Sequence, residues 1–334
     1  MYTKSISGIN IKAIASSIPS TIVDEEDFSK LYGKVNAARV VRGTGIKSVR
    51  VATGLNTHEI ISAAVESLLS SELIEKSDID GVIVVTQTPD TWSPGTAFYI
   101  HKNIGLPENC LLLDLNSGCS GYANGIIQAA ALINSGVCEN IIVCTGDINT
   151  RLINNDDYQL RMLFGDAATA TLITKGNDKI NFTYGSDGAG VDLLGVNINY
   201  TKDNLKSAHL GFLKMDGPAV MSFALKRVPE VINTLLNEMK LDKDSIDLFA
   251  LHQPNEFILT YIRDLLELES EKLPIDVDGL GNTNSSSIPL LLSRRSLSEK
   301  RNNVLICGFG VGLSWNAMLL SLNNTKIIEP IVVG

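Results

Sequence analysis

Five short apolar runs punctuate the chain: Gly81 to Thr86 (GVIVVT), Cys110 to Leu115 (CLLLDL), Asn140 to Thr145 (NIIVCT), Leu248 to His252 (LFALH) and Asn303 to Gly308 (NVLICG). Each is too short and too uniformly apolar for an amphipathic helix, and predicts a strand buried on both faces. Segments with helical spacing separate them. That alternation predicts an α/β protein.

The pattern also repeats. Residues 65–80 read VESLLSSELIEKSDID and residues 232–247 read INTLLNEMKLDKDSID, an offset of 167 (232 against 65). NIIVC at 140–144 answers NVLIC at 303–307, an offset of 163, and LDLNSGC at 113–119 answers IDVDGLG at 275–281, an offset of 162. Three matches in one order predict an internal duplication, with halves 1–175 and 176–334 packed into one body. The seam is expected in the polar stretch Lys175-Gly176-Asn177-Asp178.

Composition narrows the function. A net charge of −9 lacks the clustered cations that phosphate binding needs, which excludes nucleic acid as a partner. No stretch approaches 18 apolar residues, and the N-terminus has no basic start followed by an apolar run, so a cytoplasmic protein without a membrane segment is expected. Cys110, Cys119, Cys138, Cys144 and Cys307 form no CxxC pair and no zinc-like cluster with histidine. Neither a disulfide framework nor a metal site is indicated.

One cysteine has a distinctive setting. Cys119 lies in Asn116-Ser117-Gly118-Cys119-Ser120-Gly121, between the LLLDL strand and an apolar helix that starts near Tyr122. Unpaired N–H groups at a helix N-terminus are expected to lower the thiol pKa and to hold an oxyanion. Flanking glycines let a ligand approach the backbone. The other cysteines have no such setting and read as core, as do His58, His101 and His209. His252 closes the LFALH strand, where α/β proteins place ligands. Asn282, in GNTNSSSIP between the predicted strand LPIDVD and an apolar helix, is either a helix cap or, by the duplication, the counterpart of the Cys119 turn.

SGCSGYANG, LHQPN, GNTNSSSIP and GFGVGLSW resemble the motifs of β-ketoacyl-acyl carrier protein synthase III, and LFGDAATATL, MDGPAVMSFALKRVP and TGI extend the likeness from about residue 40 to the end. The resemblance implies the five-layered αβαβα thiolase fold as a homodimer, with Cys119, His252 and Asn282 catalytic. It implies an acyl-Cys intermediate and decarboxylative condensation with a malonyl thioester. Backbone N–H groups of Cys119 and Val311 would form the oxyanion hole. Acyl-CoA and acyl carrier protein are the implied substrates and partners, with no further cofactor. Met221 and Phe223 are implied as tunnel walls, and Asn255, Arg39 and Arg42 as further substrate contacts.

Gln87 stands where the hydroxymethylglutaryl-CoA synthase branch carries a glutamate, which favours the decarboxylative reaction because an amide exchanges no proton. The stretch before TGI has no tryptophan, and Glu256 and Phe257 follow LHQPN where a basic residue is usual. These departures point to a specialised homologue in secondary-metabolite or cell-surface chemistry, fed by a carrier protein or an unusual CoA ester. Lys226 and Arg227 read as a docking patch for an acidic carrier or as a solvated helix face. The alternatives are transfer of the acyl group from Cys119 to an alcohol or amine, a cysteine hydrolase with the papain-like order Cys, His, Asn, and a non-catalytic partner subunit.

Overall fold

The computed structural model describes residues 1–201, 204–294 and 302–334, with side chains over 199–210 left aside. All five apolar runs form strands. Ten strands among the described residues make one sheet: β1 (Lys4–Pro19), β2 (Gly81–Val85), β3 (Leu111–Leu115), β4 (Asn140–Asp147), β5 (Ala167–Ser186), β6 (Leu248–Leu251), β7 (Val304–Gly310), β8 (Ser314–Leu320), β9 (Lys326–Ile327) and β10 (Ile331–Val333). Its main path runs β6-β7-β8-β5-β4-β2-β3. The long strand β5 joins the two halves, because residues 167–174 pair with β4 and residues 181–186 pair with β8. At Lys175 to Asp178 it bulges opposite Ile9 of β1, and Asn10 Oδ1 accepts hydrogen bonds from Asn177 N and Asp178 N. The polar stretch read as a seam is therefore a bulge inside one continuous strand. Residues 4–7 pair with 179–182, so the start of the chain lies beside the second half's strands.

Side-chain alternation along the strands sorts the core into three apolar layers. Val82 and Val84 pack outward, with Ile142 and Cys144, against α1 (Thr57–Leu69) and α2 (Thr96–Ile104). Ile83, between them, packs inward with Val143, Val304, Ile306 and Met318 against α3 (Gly121–Asn134) and a short helix, Ser287–Arg294. Leu305, Cys307, Ala317 and Leu319 pack outward on the far side against the helices Gly217–Met239 and Glu256–Leu265. The one ladder, continuous through β5, stacks its two parts as two layers about the inner core, so the order is helix, sheet, helix, sheet, helix. Each fully buried Ile or Leu in these layers stabilises the fold by roughly 1.5–3 kcal/mol.

Two expectations need correction. LPIDVD forms no strand; its chain is held beside β6 by Phe249 N to Lys272 O and by the Gln253 side chain, which accepts from Asp276 N and donates to Pro274 O. LLLDL does form β3, but at the end of the sheet path rather than buried, with Leu111 exposed and Leu113 and Leu115 half-buried.

Candidate active site

Parallel pairing of β2 with both β3 and β4 brings the C-terminal ends of three strands to one edge of the sheet, as Val85 stands level with Leu115 and Thr145. Gln87, Cys119 and Asp147 follow from those ends. In the second half β6 runs parallel to β7, and His252 N bonds to Cys307 O at 2.8 Å. Gln87 and Cys119 from the first half meet His252 from the second at one cavity of about 500 Å³, lined also by Asn282, Val311, Met221 and Asn255 among others.

Cys119 stands just before the N-cap of α3 and is buried. The expected lowering of its pKa is outweighed. Burial pushes the thiol up to about 12, the backbone N–H groups of Val311 and Cys119 oppose the rise, and the nearby Asp147 charge adds to it. Those two N–H groups are the pair implied for the oxyanion hole, and both bear on the sulfur. The GFG turn reaches so close that a Cβ at Gly310 would stand 2.7 Å from Cys119 Sγ.

His252 is buried with its ring edge-on to Phe309 and its Nδ1 2.7 Å from Ser287 Oγ. Burial depresses its pKa to about 3, against a hydrogen bond to the Asn284 backbone, so the imidazole is neutral at physiological pH. Asn282 is fixed at both backbone and side chain: its N–H donates to Leu163 O, its carbonyl accepts from Gly165 N, and its Oδ1 accepts from Asn284 N at 3.0 Å. The amide Nδ2 is left to donate.

Asp147 had no place in the sequence reading. It is fully buried and accepts from Gln87 N (2.7 Å), Thr86 Oγ1, Thr88 Oγ1 and Ser285 Oγ (3.1 Å). It thereby ties the turn after β2 to the turn carrying Asn282. Burial pushes its carboxyl up to about 7 despite those donors. The only sequence signal was an acidic residue closing an otherwise apolar strand.

Other implied contacts divide. Asn255 lines the cavity and also caps the helix Glu256–Leu265, its Oδ1 accepting from Ile258 N. Met221 lines the cavity. Phe223 does not; its ring packs edge-on to Trp315 at 5.6 Å, because residues two apart on a helix face different ways. Arg39 and Arg42 are exposed on Lys34–Thr44 and are not among the lining residues. Lys226 is exposed, while Arg227 pairs with Glu230 and lies over the Trp315 ring. His58 bonds to Asp90 and His101 to Pro107 O, both structural, and His209 lies among the side chains outside the described set. Cys138, Cys144 and Cys307 are buried and Cys110 is half-buried.

A layered sheet-and-helix body with a buried cysteine, Cys119, at the head of the central helix defines the scaffold as the thiolase fold. Comparison with known proteins places the chain within it. Residues 113–195 match the family model for 3-oxoacyl-[acyl-carrier-protein (ACP)] synthase III, and residues 236–322 match the model for its C-terminal part. The chain is 31% identical over 328 residues to the β-ketoacyl-[acyl-carrier-protein] synthase III of Clostridium tetani (strain Massachusetts / E88), which covers 93% of this chain and 98% of the relative. The solved 3-oxoacyl-(acyl-carrier protein) synthase from Burkholderia xenovorans LB400 superposes with a TM-score of 0.93 at 30% identity, covering 99% of each chain. The priming β-ketosynthase of the R1128 polyketide pathway superposes with a TM-score of 0.85 at 25% identity, over 95% of this chain and 97% of that one. The chain belongs to the β-ketoacyl-acyl carrier protein synthase III family.

Proposed function

We propose that the protein condenses an acyl thioester with a malonyl thioester to give a β-ketoacyl thioester, through an acyl group held on Cys119. The observation that carries this reading is the convergence of Cys119, His252 and Asn282, from opposite halves of the chain, on one cavity. In the first step the Cys119 sulfur attacks the acyl carbonyl, the thioester C–S bond breaks, and the thiol proton leaves with the released thiol. The N–H groups of Cys119 and Val311 hold the oxyanion. In the second step the malonyl thioester loses carbon dioxide. His252 and Asn282 hydrogen-bond its thioester oxygen while the enolate exists. Ser287 Oγ holds Nδ1 at 2.7 Å and so fixes the ring of the His252 donor. The enolate carbon attacks the acyl carbonyl and the Cys119 sulfur departs. Neutral donors suit a charge that exists only during reaction, because a fixed cation would bind the ground state as well.

The chain works as a homodimer in this reading, since β3 leaves Leu111 exposed and Leu113 and Leu115 half-buried at the end of the sheet, where a second copy can cover them. Among the described residues no helix is long and apolar enough to cross a membrane. We place the reaction in the cytoplasm, where five free cysteines stay reduced. The absence of tryptophan before TGI and the exposure of Arg39 and Arg42 favour a specialised role over the start of ordinary fatty-acid synthesis.

Intact-mass analysis with acyl-CoA and acyl carrier protein donors tests the first step, and carbon dioxide release from malonyl thioesters tests the second. Wild type acquires one acyl group and Cys119→Ala acquires none. Acylation without any carbon dioxide release would replace condensation by acyl transfer to an alcohol or amine.

A further inference from the structure

Beside the thiol, the cavity wall is built from side-chain amides. Gln87 and Asn284 form a pair there, with Asn284 Nδ2 donating to Gln87 Oε1 at 3.3 Å, and both line the same cavity as Cys119. They press on the nucleophile's own turn: a Cβ at Gly118 would come within 2.5 Å of Gln87 Oε1 and 3.0 Å of Asn284 Oδ1. Asn284 is 5% exposed and holds a left-handed backbone with φ 54°. Such a conformation is uncommon outside glycine, and asparagine is among the residues that tolerate it. Asp147 fixes the pair from behind through Gln87 N and Ser285 Oγ.

Each amide carries two donors and two acceptor sites; the bond between them uses one donor and one acceptor site, and Gln87 Nε2 also donates to Asn116 Oδ1 at 3.5 Å. The remainder needs a partner. An alkyl chain laid against this wall would take water from these groups and give nothing back. Elsewhere the cavity is lined by Leu163, Leu194, Met215, Val220, Met221 and Ala224, which suit an apolar chain well. The polar wall is thus confined to the neighbourhood of the sulfur.

Two observations choose the ligand. Among the described lining residues the only cation is Arg151, which is committed to Asp90 at 3.0 Å. Behind the wall lies the Asp147 carboxyl, which repels an anion. A carboxylate is therefore disfavoured, and the fitting group is neutral, with one donor and one acceptor: a hydroxyl. We propose that Gln87 and Asn284 form a subsite that selects acyl donors bearing a hydroxyl within two carbons of the thioester carbonyl. This rests on the reading of Cys119 as the acyl acceptor. The transfer is the same exchange of C–S bonds, with the thiol proton leaving on the released thiol.

The test is acylation of Cys119 by butyryl, 2-hydroxybutyryl and both enantiomers of 3-hydroxybutyryl, each offered on CoA and on an acyl carrier protein, with rates read by intact mass. Wild type is expected to take at least one hydroxylated donor with kcat/KM about tenfold or more above butyryl, since a site built for a hydroxyl discriminates strongly against its absence. Gln87→Leu and Asn284→Gly should bring that ratio close to one, the glycine being chosen because it keeps the left-handed backbone. The ratio is taken within each protein, so a variant that folds less well still reports. Butyryl equal to or faster than every hydroxylated donor overturns the subsite, as does a ratio unchanged in both variants. If that happens while malonyl thioesters still release carbon dioxide, the condensing function stands and only the subsite falls. If Cys119 accepts no acyl group from any donor, both fall.

Discussion

The two turns that meet at the cavity occupy matching places in the duplicated halves and are built by different means. The turn at 116–121 is shaped by missing side chains: a Cβ at Gly121 would stand 2.5 Å from Val85 Cγ1, and Gly121 N bonds to Gly118 O at 2.7 Å as the chain enters a 14-residue helix. The turn at 282–287 is shaped by side-chain hydrogen bonds. Ser285 reaches Asp147, Ser286 reaches Thr145 at 2.8 Å and Ser287 reaches His252, across a tight turn at Asn284–Ser286. In the proposed mechanism Cys119 is the nucleophile and has to be approached, so the backbone around it is bare. Donors that stabilise a passing charge have to be rigid before it appears, so theirs is a lattice of bonds.

That contrast can be broken at either turn. Asn282→Ala should lower condensation by about 10²–10³-fold, the loss typical of one preorganised donor. Acyl transfer onto Cys119 should survive, because in the proposed mechanism Asn282 acts on the malonyl thioester alone. Carbon dioxide release against intact mass separates the two, and an equal loss in both would erase the division of labour between the turns. Gly118→Ala attacks the other turn. The new methyl would lie 2.4 Å from Val311 Cγ1 and displace the backbone beside the sulfur. Misplacement on that scale costs about 10²-fold, here in the acylation step itself. Acylation at the wild-type rate would show that the bare backbone is not what exposes the thiol.

How far these turns were legible follows from what each is made of. Glycines and a strand-to-helix boundary are visible in sequence, so Cys119 and its helix could be located from SGCSG alone. The lattice could not. Ser285 and Asp147 are 138 positions apart, and nothing local to either marks the bond. LPIDVD read as a strand because apolar and polar residues alternate, but side chains from Gln253 hold it instead of a neighbouring strand, and alternation does not distinguish the two. Lys175 to Asp178 read as a break because polar turn residues usually end a strand; here Asn10 bonds the bulge and β5 continues. Met221 and Phe223 were separable in principle, since helical period alone puts them on different faces.

Asp147 is the hinge of the comparison, because it bonds to both sides and is charged. Asp147→Asn keeps the lattice: Oδ1 still accepts from Gln87 N, and the new Nδ2 can donate to the Ser285 hydroxyl, which accepts as readily as it gives. Only the charge is lost. An unfolded aspartate ionises near about 4, whereas burial holds this one at about 7, so between those values the folded protein binds more protons than the unfolded one. Its stability therefore falls as pH rises through that window, with the full penalty present above it. The asparagine variant should melt several degrees higher than wild type at pH 8, with the gap closing towards pH 4. Removing the charge also removes one cause of the raised Cys119 pKa, so iodoacetamide should alkylate the variant's thiol several-fold faster at pH 8. A melting gap of the same size at pH 4 and pH 8 would mean that Asp147 does not titrate, and an unchanged alkylation rate would mean that its field does not reach the sulfur.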